Sequence, residues 1–424
     1  MIALILIIFI AGYIAIAFEH PLKVNKAASA LITGVLCWTV YILQASDKHI
    51  VSEELLHGFG EIASILFFLL GAMTIVELID SHNGFEIITQ KINTKSKSKL
   101  LFIIAIITFF LSALLDNLTT AIVMTSLCIK LLSEKEDRLW FAGIIIIASN
   151  LGGAWSPLGD VTTTMLWIGG QITALNIIYT LILPCLIACI IPVVIISRKF
   201  KGQNFQSLPI AESTVTEKKE GKFILFTGLG FLLFVPLFKT ITHLPPFMGM
   251  LLALGLMWII LAIIHRDKAT DYKEQFTVAR ALQKIDTPSI LFFLGILLAV
   301  SALQSTGLLK SMAEALNTTF KNDYIIGTFL GLLSSVVDNV PLVAAAQGMY
   351  DLSTYPADHP FWEFLAFTTG SGGSAIIIGS AAGVAVMGIE HINFMWYLKK
   401  ISWIALIAFV VGIAVFLLQQ YLVG

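Results

Sequence analysis

Apolar runs dominate the chain. Positions 2–18, 27–44, 61–79, 100–132, 139–170, 173–197, 222–242, 247–265, 288–306, 324–350, 361–389 and 393–422 are each rich in aliphatic and aromatic residues and poor in charge. A helix needs about 20 apolar residues to cross a hydrocarbon core roughly 30 Å thick, whereas a barrel strand needs only about 10 that alternate. In lipid, every backbone N–H and C=O must be satisfied within a helix or a closed barrel. Continuous runs of this length therefore predict an all-α integral membrane protein with the lipid bilayer as its solvent. Composition agrees, with 57% hydrophobic and 12% charged residues against about 45–50% and about 25% in soluble domains. The net charge of −1 says nothing about partners, but the chain has no basic patch of the kind a nucleic-acid partner requires. Cys37, Cys128, Cys185 and Cys189 all lie in apolar runs and are read as packing residues, because disulfide frameworks staple small exposed domains. The run from Ile2 to Phe18 lacks a basic lead and a small-residue cleavage site, so it is read as a retained helix.

Two of the runs carry the same interruption. Residues 112–120 read Ser-Ala-Leu-Leu-Asp-Asn-Leu-Thr-Thr and residues 334–342 read Ser-Ser-Val-Val-Asp-Asn-Val-Pro-Leu. A carboxylate at the centre of a membrane helix costs about 2.5–3.5 kcal/mol on insertion scales, so it persists where it faces an interior or a water-filled cavity. Each Asp is followed by Asn and preceded at four residues by Ser, which gathers hard oxygen ligands in one place. The plainer reading is that each Asp caps a helix.

The halves of the chain echo one another. Ser-Ile-Leu-Phe-Phe-Leu begins at both Ser64 and Ser289; Phe18 and Trp38 have counterparts in Phe238 and Trp258, offset by 220. The Asp-Asn pairs are 222 apart, and Gly152-Gly153 and Gly372-Gly373 are 220 apart. Correspondences in one order at nearly one offset predict two structural repeats, 1–198 and 222–424, joined by a polar linker, 199–221. Charge orients them. The loops near Lys23, Lys95, Lys135, Lys218, Arg280 and Lys399 hold 22 of the 26 Lys and Arg residues and are expected on the cytoplasmic side. They can share one side only if both Asp-Asn segments return to the face they entered. Leu100 to Leu115 spans 16 residues, about 24 Å at roughly 1.5 Å per residue, which is short of a crossing. The expectation is two inverted repeats, each with a re-entrant hairpin, in a multi-pass membrane protein with both termini outside. Secondary transporters of this plan hold substrate and coupling ions where broken elements meet.

A second pair of breaks follows the hairpins. One runs Ser149-Asn150-Leu-Gly-Gly-Ala-Trp-Ser156-Pro157-Leu-Gly159-Asp160-Val-Thr162-Thr163-Thr164, the other Thr368-Thr369-Gly370-Ser371-Gly372-Gly373-Ser374 through Gly379-Ser380. Gly and Pro free backbone groups where these can line a cavity, although glycines also serve close helix packing. Asn150, Asp160, Thr162 and Thr163 supply a carboxylate, an amide and hydroxyls where the backbone opens, a shell suited to sodium. The counterpart of Asp160 is Ser380, so the first repeat carries the richer ion chemistry. Glu61, Glu77 and Asp80 lie near helix ends and are read as interfacial.

With these motifs in hand, the chain resembles the NhaD-type sodium/proton antiporters of the ion transporter superfamily over essentially its whole length. The resemblance implies that Asp116, Asn117, Asn150, Asp160, Thr162, Thr163, Asp338 and Asn339 are central, with Ser112, Ser334, Ser371 and Ser374 assisting. It implies that sodium or lithium leaves the cytoplasm as protons enter, that sodium is held at Asp116, Asn117, Asn150 and Asp160, that no cofactor is needed, and that the chain forms a homodimer. Burial favours a protonated carboxylate and a bound cation favours an ionised one, so one group can trade a proton for sodium. Arsenite or a di- or tricarboxylate is the alternative cargo within the superfamily; acids in the site repel carboxylates, while charge does not exclude neutral arsenite. An intramembrane aspartyl protease is the alternative from another class, but Pro157 stands where a Gly-x-Gly-Asp motif needs Gly.

Overall fold

The computed structural model describes residues 2–87, 92, 94–205, 215–266, 268 and 276–423. Part of the expected linker, 206–214, lies outside them. The helices with which we describe the fold are α1 (Ile2–Ala17), α2 (Lys26–Gln44), α3 (Lys48–Ser81), α4 (Lys97–Leu115), α5 (Asn117–Leu131), α6 (Lys135–Ala154), α7 (Val161–Ile168), α8 (Ala174–Ser197), α9 (Val215–Thr242), α10 (Pro246–Ile264), α11 (Thr287–Ser305), α12 (Leu308–Phe320), α13 (Asp323–Leu333), α14 (Asn339–Met349), α15 (Pro360–Gly372), α16 (Ala381–Glu390), α17 (Phe394–Lys400) and α18 (Ser402–Val423). Among the described residues, eight helices are long and apolar enough to cross a membrane. The chain is a multi-pass integral membrane protein, and large hydrophobic side chains such as Leu56, Tyr179 and Ile241 are exposed on its surface.

Each expected break is present. The run 100–132 divides at Asp116 into α4 and α5, and the run 324–350 divides between Leu333 and Asn339 into α13 and α14. The runs 139–170 and 361–389 divide in the same way, into α6 and α7 and into α15 and α16. Lengths depart from expectation in two places, α4 and α3. α4 starts at Lys97, whose ammonium lies 2.5 Å from the buried Asp137 carboxylate, so it has 19 residues, about 28 Å at roughly 1.5 Å per residue. That nearly matches a hydrocarbon core, and shortness alone does not make this arm re-entrant. α13, with 11 residues, is about 16 Å long and is too short to cross. α3 extends the run 61–79 back to Lys48, where Asp47 accepts from the N–H of His49 at 2.8 Å and starts the helix.

The helices form two packed groups. α1, α2, α3, α9, α10 and α11 make one, with α2 and α11 in the closest association. A Cβ added at Gly34 would lie 2.5 Å from the carbonyl oxygen of Gly295, and one at Gly295 would lie 2.4 Å from the Ala30 backbone. Small residues thus let two backbones touch, which is how membrane helices associate without a hydrophobic drive between them. Trp38 adds an indole hydrogen bond to the Leu298 carbonyl at 2.9 Å. The second group holds the interrupted elements, with α4 on α6, α13 on α15, α5 on α16, α7 on α14, and α6 on α15. α8 and α18 pack on each other and flank it.

Candidate ion site

Four chain breaks converge in the second group, and each is fixed by a side chain that caps the next helix. Asp116 has φ 76°, ψ 158°, a backbone that non-glycine residues adopt only when their surroundings hold it. Its carboxylate accepts from the Thr119 N–H and from the Thr119 hydroxyl, both at 2.8 Å. Asp160 accepts from the N–H and hydroxyl of Thr162, both at 2.9 Å. Asp338 accepts from the Val340 N–H at 3.2 Å, and Ser380 from the Gly383 N–H at 3.1 Å. The capping role of Asp116 and Asp338 is therefore present, and at Asp160 capping is combined with a second set of contacts.

Asp160 is the centre of a buried polar network. The Asn117 amide donates to its Oδ2 at 2.6 Å, and the Asn339 amide lies 3.3 Å and 3.4 Å from its two oxygens. Asn117 also donates to Asn150 Oδ1 at 3.1 Å. Asn150 in turn donates to the hydroxyls of Ser374 and Ser380, each at 2.9 Å. Asp160 is 2% exposed and Asn150 0%; no ion pair among the described residues reaches Asp160 or Asp116. A buried carboxylate without a counter-ion is costly unless it carries a proton or a cation. Donors from Asn and Thr, and the positive end of α7, soften that cost without removing the charge. A half-turn of each amide exchanges N–H donors for carbonyl oxygens, so the same residues can surround either a protonated carboxyl or a hard cation.

The remaining predicted residues divide by position. Asp116 lines one small cavity with Asp160, Leu158, Thr164, Phe68 and Met250. Thr163 donates to the Asp160 backbone carbonyl at 2.9 Å and so steadies the cap rather than facing the carboxylate. Ser112 donates to the Ser149 carbonyl at 2.6 Å and Ser334 to the Thr369 carbonyl at 2.8 Å; these are matching pins between α4 and α6 and between the end of α13 and α15. Ser371 bonds the Phe367 carbonyl one turn earlier in its own helix. Asp338 stands apart from the network, with the Lys26 ammonium at 3.7 Å. Ser380 belongs to the network though it was not among the expected ligands; its place opposite Asp160 in the repeat alignment was the available signal.

The chain is similar to known proteins along most of its length. Residues 4–370 match the family described as citrate transporter. The chain is 44% identical to sodium/proton antiporter 1 of Arabidopsis thaliana over 97% of its own length and 71% of that protein. It is 44% identical to sodium/proton antiporter 2 of the same plant over 97% and 98%. With the Na(+)/H(+) antiporter NhaD of Vibrio cholerae it shares 30% identity over 98% of this chain and 91% of the relative. A transporter fold with broken helices around buried carboxylates that have no ion-pair partner, matched along nearly its whole length by these proteins, identifies the chain as a member of the citrate transporter family and of the NhaD-type sodium/proton antiporters.

Proposed function

We propose that the protein is a sodium/proton antiporter in which the Asp160 carboxylate holds a proton or a sodium ion in turn. The observation that carries this reading is the environment of Asp160: buried, met by amide and hydroxyl groups, and without a cationic side chain. Ionisation there is favourable when a cation arrives. Sodium binding therefore expels the proton and protonation expels sodium. Asn117, Asn150, Thr162 and Asn339 complete the sodium shell, and Asp116 in the adjoining cavity is the second exchanging acid. Lithium, a smaller ion of the same charge, is accepted by the same oxygens.

Reciprocal packing supports two inverted repeats, 1–198 and 222–424. The α5 arm of the first half packs on α16 of the second, and the α14 arm of the second packs on α7 of the first. The Ser112 and Ser334 pins occupy matching places. We read both Asp-Asn elements as re-entrant hairpins, the loops rich in Lys and Arg as cytoplasmic, the termini as external, the membrane as a prokaryotic inner membrane, and the assembly as a homodimer. A citrate or other carboxylate cargo is disfavoured, since a tricarboxylate meeting Asp116 and Asp160 finds like charge and no ammonium or guanidinium among the network residues. Proteolysis is disfavoured by the relatives, whose names are those of transporters.

Everted vesicles carrying an outwardly unmatched pH gradient test the function. Sodium or lithium added to wild-type vesicles is expected to collapse the gradient, and Asp160→Asn vesicles with equal protein in the membrane are expected to be silent. Wild-type vesicles that ignore sodium and lithium across neutral and alkaline pH, yet accumulate arsenite or citrate, would overturn the assignment.

A further inference from the structure

Away from the ion site, three helix ends bring together His82, Glu220 and His265. His82 follows the last residue of α3, Glu220 lies in the first turns of α9, and His265 follows α10. Their potential ligand atoms all lie within 4.8 Å of one another. His265 Nε2 is 2.6 Å from Glu220 Oε1, and His82 Nε2 is 4.0 Å from the same oxygen. The two imidazole rings are parallel, 5.3 Å apart, and Phe276 packs against both at 4.6 Å and 5.6 Å.

The orientation of His82 sets this cluster apart from an ordinary charge pair. Its Nδ1 bonds the Leu78 carbonyl at 2.6 Å, which assigns the ring proton to Nδ1 and leaves a bare lone pair at Nε2. That nitrogen is buried and has no hydrogen-bond partner, and the His82 side chain is 2% exposed. It faces the Glu220 oxygen, so acceptor looks at acceptor across a gap. Metal-bound histidines are oriented in this way, with the second ring nitrogen tied to a backbone carbonyl.

We propose that His82, Glu220 and His265 form a binding site for a divalent transition-metal ion of the zinc type, held by two imidazoles and one carboxylate. Tetrahedral bonds of about 2.0–2.2 Å place ligand atoms about 3.3–3.6 Å apart, so the ion draws His82 Nε2 closer to the other two and moves His265 Nε2 off the Glu220 oxygen, now 2.6 Å away. On binding, the proton between His265 Nε2 and Glu220 leaves that position for Nδ1 or for solvent. Lys268, which bonds the other Glu220 oxygen, neutralises the carboxylate when the metal is away and withdraws when it arrives. Water takes the fourth tetrahedral position, and Phe276 shields one side. The ion ties the end of α3, in the first half, to α9 and α10 in the second, and so fastens the group of helices that contains none of the ion-site breaks.

The test uses the full chain, purified in detergent without a polyhistidine tag and stripped with chelator, and cobalt(II) or zinc(II) alone as probe. Cobalt is expected to bind at one equivalent with the visible absorption of a tetrahedral site, and zinc to raise the thermal midpoint. His82→Ala and His265→Gln are each expected to lose the band and the zinc-dependent rise, while His49→Ala, at an exposed position, keeps both. Absence of saturable cobalt binding in the wild type overturns the proposal whatever the variants do. Binding that survives in folded His82→Ala and His265→Gln overturns it as well. Neither readout depends on sodium or proton transport.

Discussion

At the scale of residues, the proposed function rests on a difference between three acids that look alike in sequence. Asp116, Asp160 and Asp338 all cap helices, but Asp160 alone is met by amides from both halves, and Asp338 has Lys26 beside it. Replacing Asn117 by Ala removes a donor to a charged group, worth about 1.5–3 kcal/mol. The apparent KM for sodium should rise by roughly ten- to a hundredfold with the maximal rate less affected. Asp338→Asn, which removes a partly solvated ion pair worth about 0–1 kcal/mol, should change it less than fivefold. Sodium-dependent proton uptake in proteoliposomes checks both, and a larger effect from Asp338→Asn than from Asn117→Ala would reverse the assignment. The acids and amides were legible because polar residues inside apolar runs have few reasons to be there. The roles of Ser371 and Ser380 were not, because a serine hydroxyl bonds its own helix or a distant residue with equal ease, and only packing decides.

At the scale of elements, the breaks were written in Asp-Asn, Gly-Gly and Pro157, while the lengths of the pieces were not. α4 gains a turn because Lys97 finds Asp137 and α3 gains several because Asp47 caps it; neither partner is encoded in the apolar pattern. α12 was missed altogether, since Lys310 and Glu314 interrupt its apolar residues and only one stripe, including Leu309 and Ala313, is buried. The paired glycines serve close approach in both halves. A Cβ at Gly152 would lie 2.3 Å from the Phe109 carbonyl oxygen, and one at Gly372 would lie 1.9 Å from that of Gly331. Overpacking of this kind costs about 1–3 kcal/mol or more. Gly152→Ala and Gly372→Ala should both lower the thermal midpoint in detergent, whereas Gly255→Ala, which meets nothing within 4 Å, should leave it unchanged. Equal midpoints for the three variants would remove close packing as the reason for these glycines.

At the scale of the whole molecule, the site exists only because the two halves meet. Asn150 reaches Ser374 and Ser380 across 224 and 230 residues, and Asp160 reaches Asn339 across 179. The repeat offset in the sequence predicted that the halves would correspond; the hydrogen bonds show that residues of 1–198 and 222–424 meet in one network. Under the proposed function, coupling follows from this sharing: the Asp160 carboxylate, enclosed by both halves, cannot be occupied by sodium and by a proton together. The most direct measurement is calorimetric titration of the purified full chain with sodium in two buffers of different ionisation enthalpy, which counts protons released per sodium bound. The account predicts that wild-type protein releases protons as sodium binds, with affinity falling as pH falls, and that folded Asp160→Asn binds no sodium. Sodium binding without proton release in the wild type, or unchanged binding and release in Asp160→Asn, would contradict it.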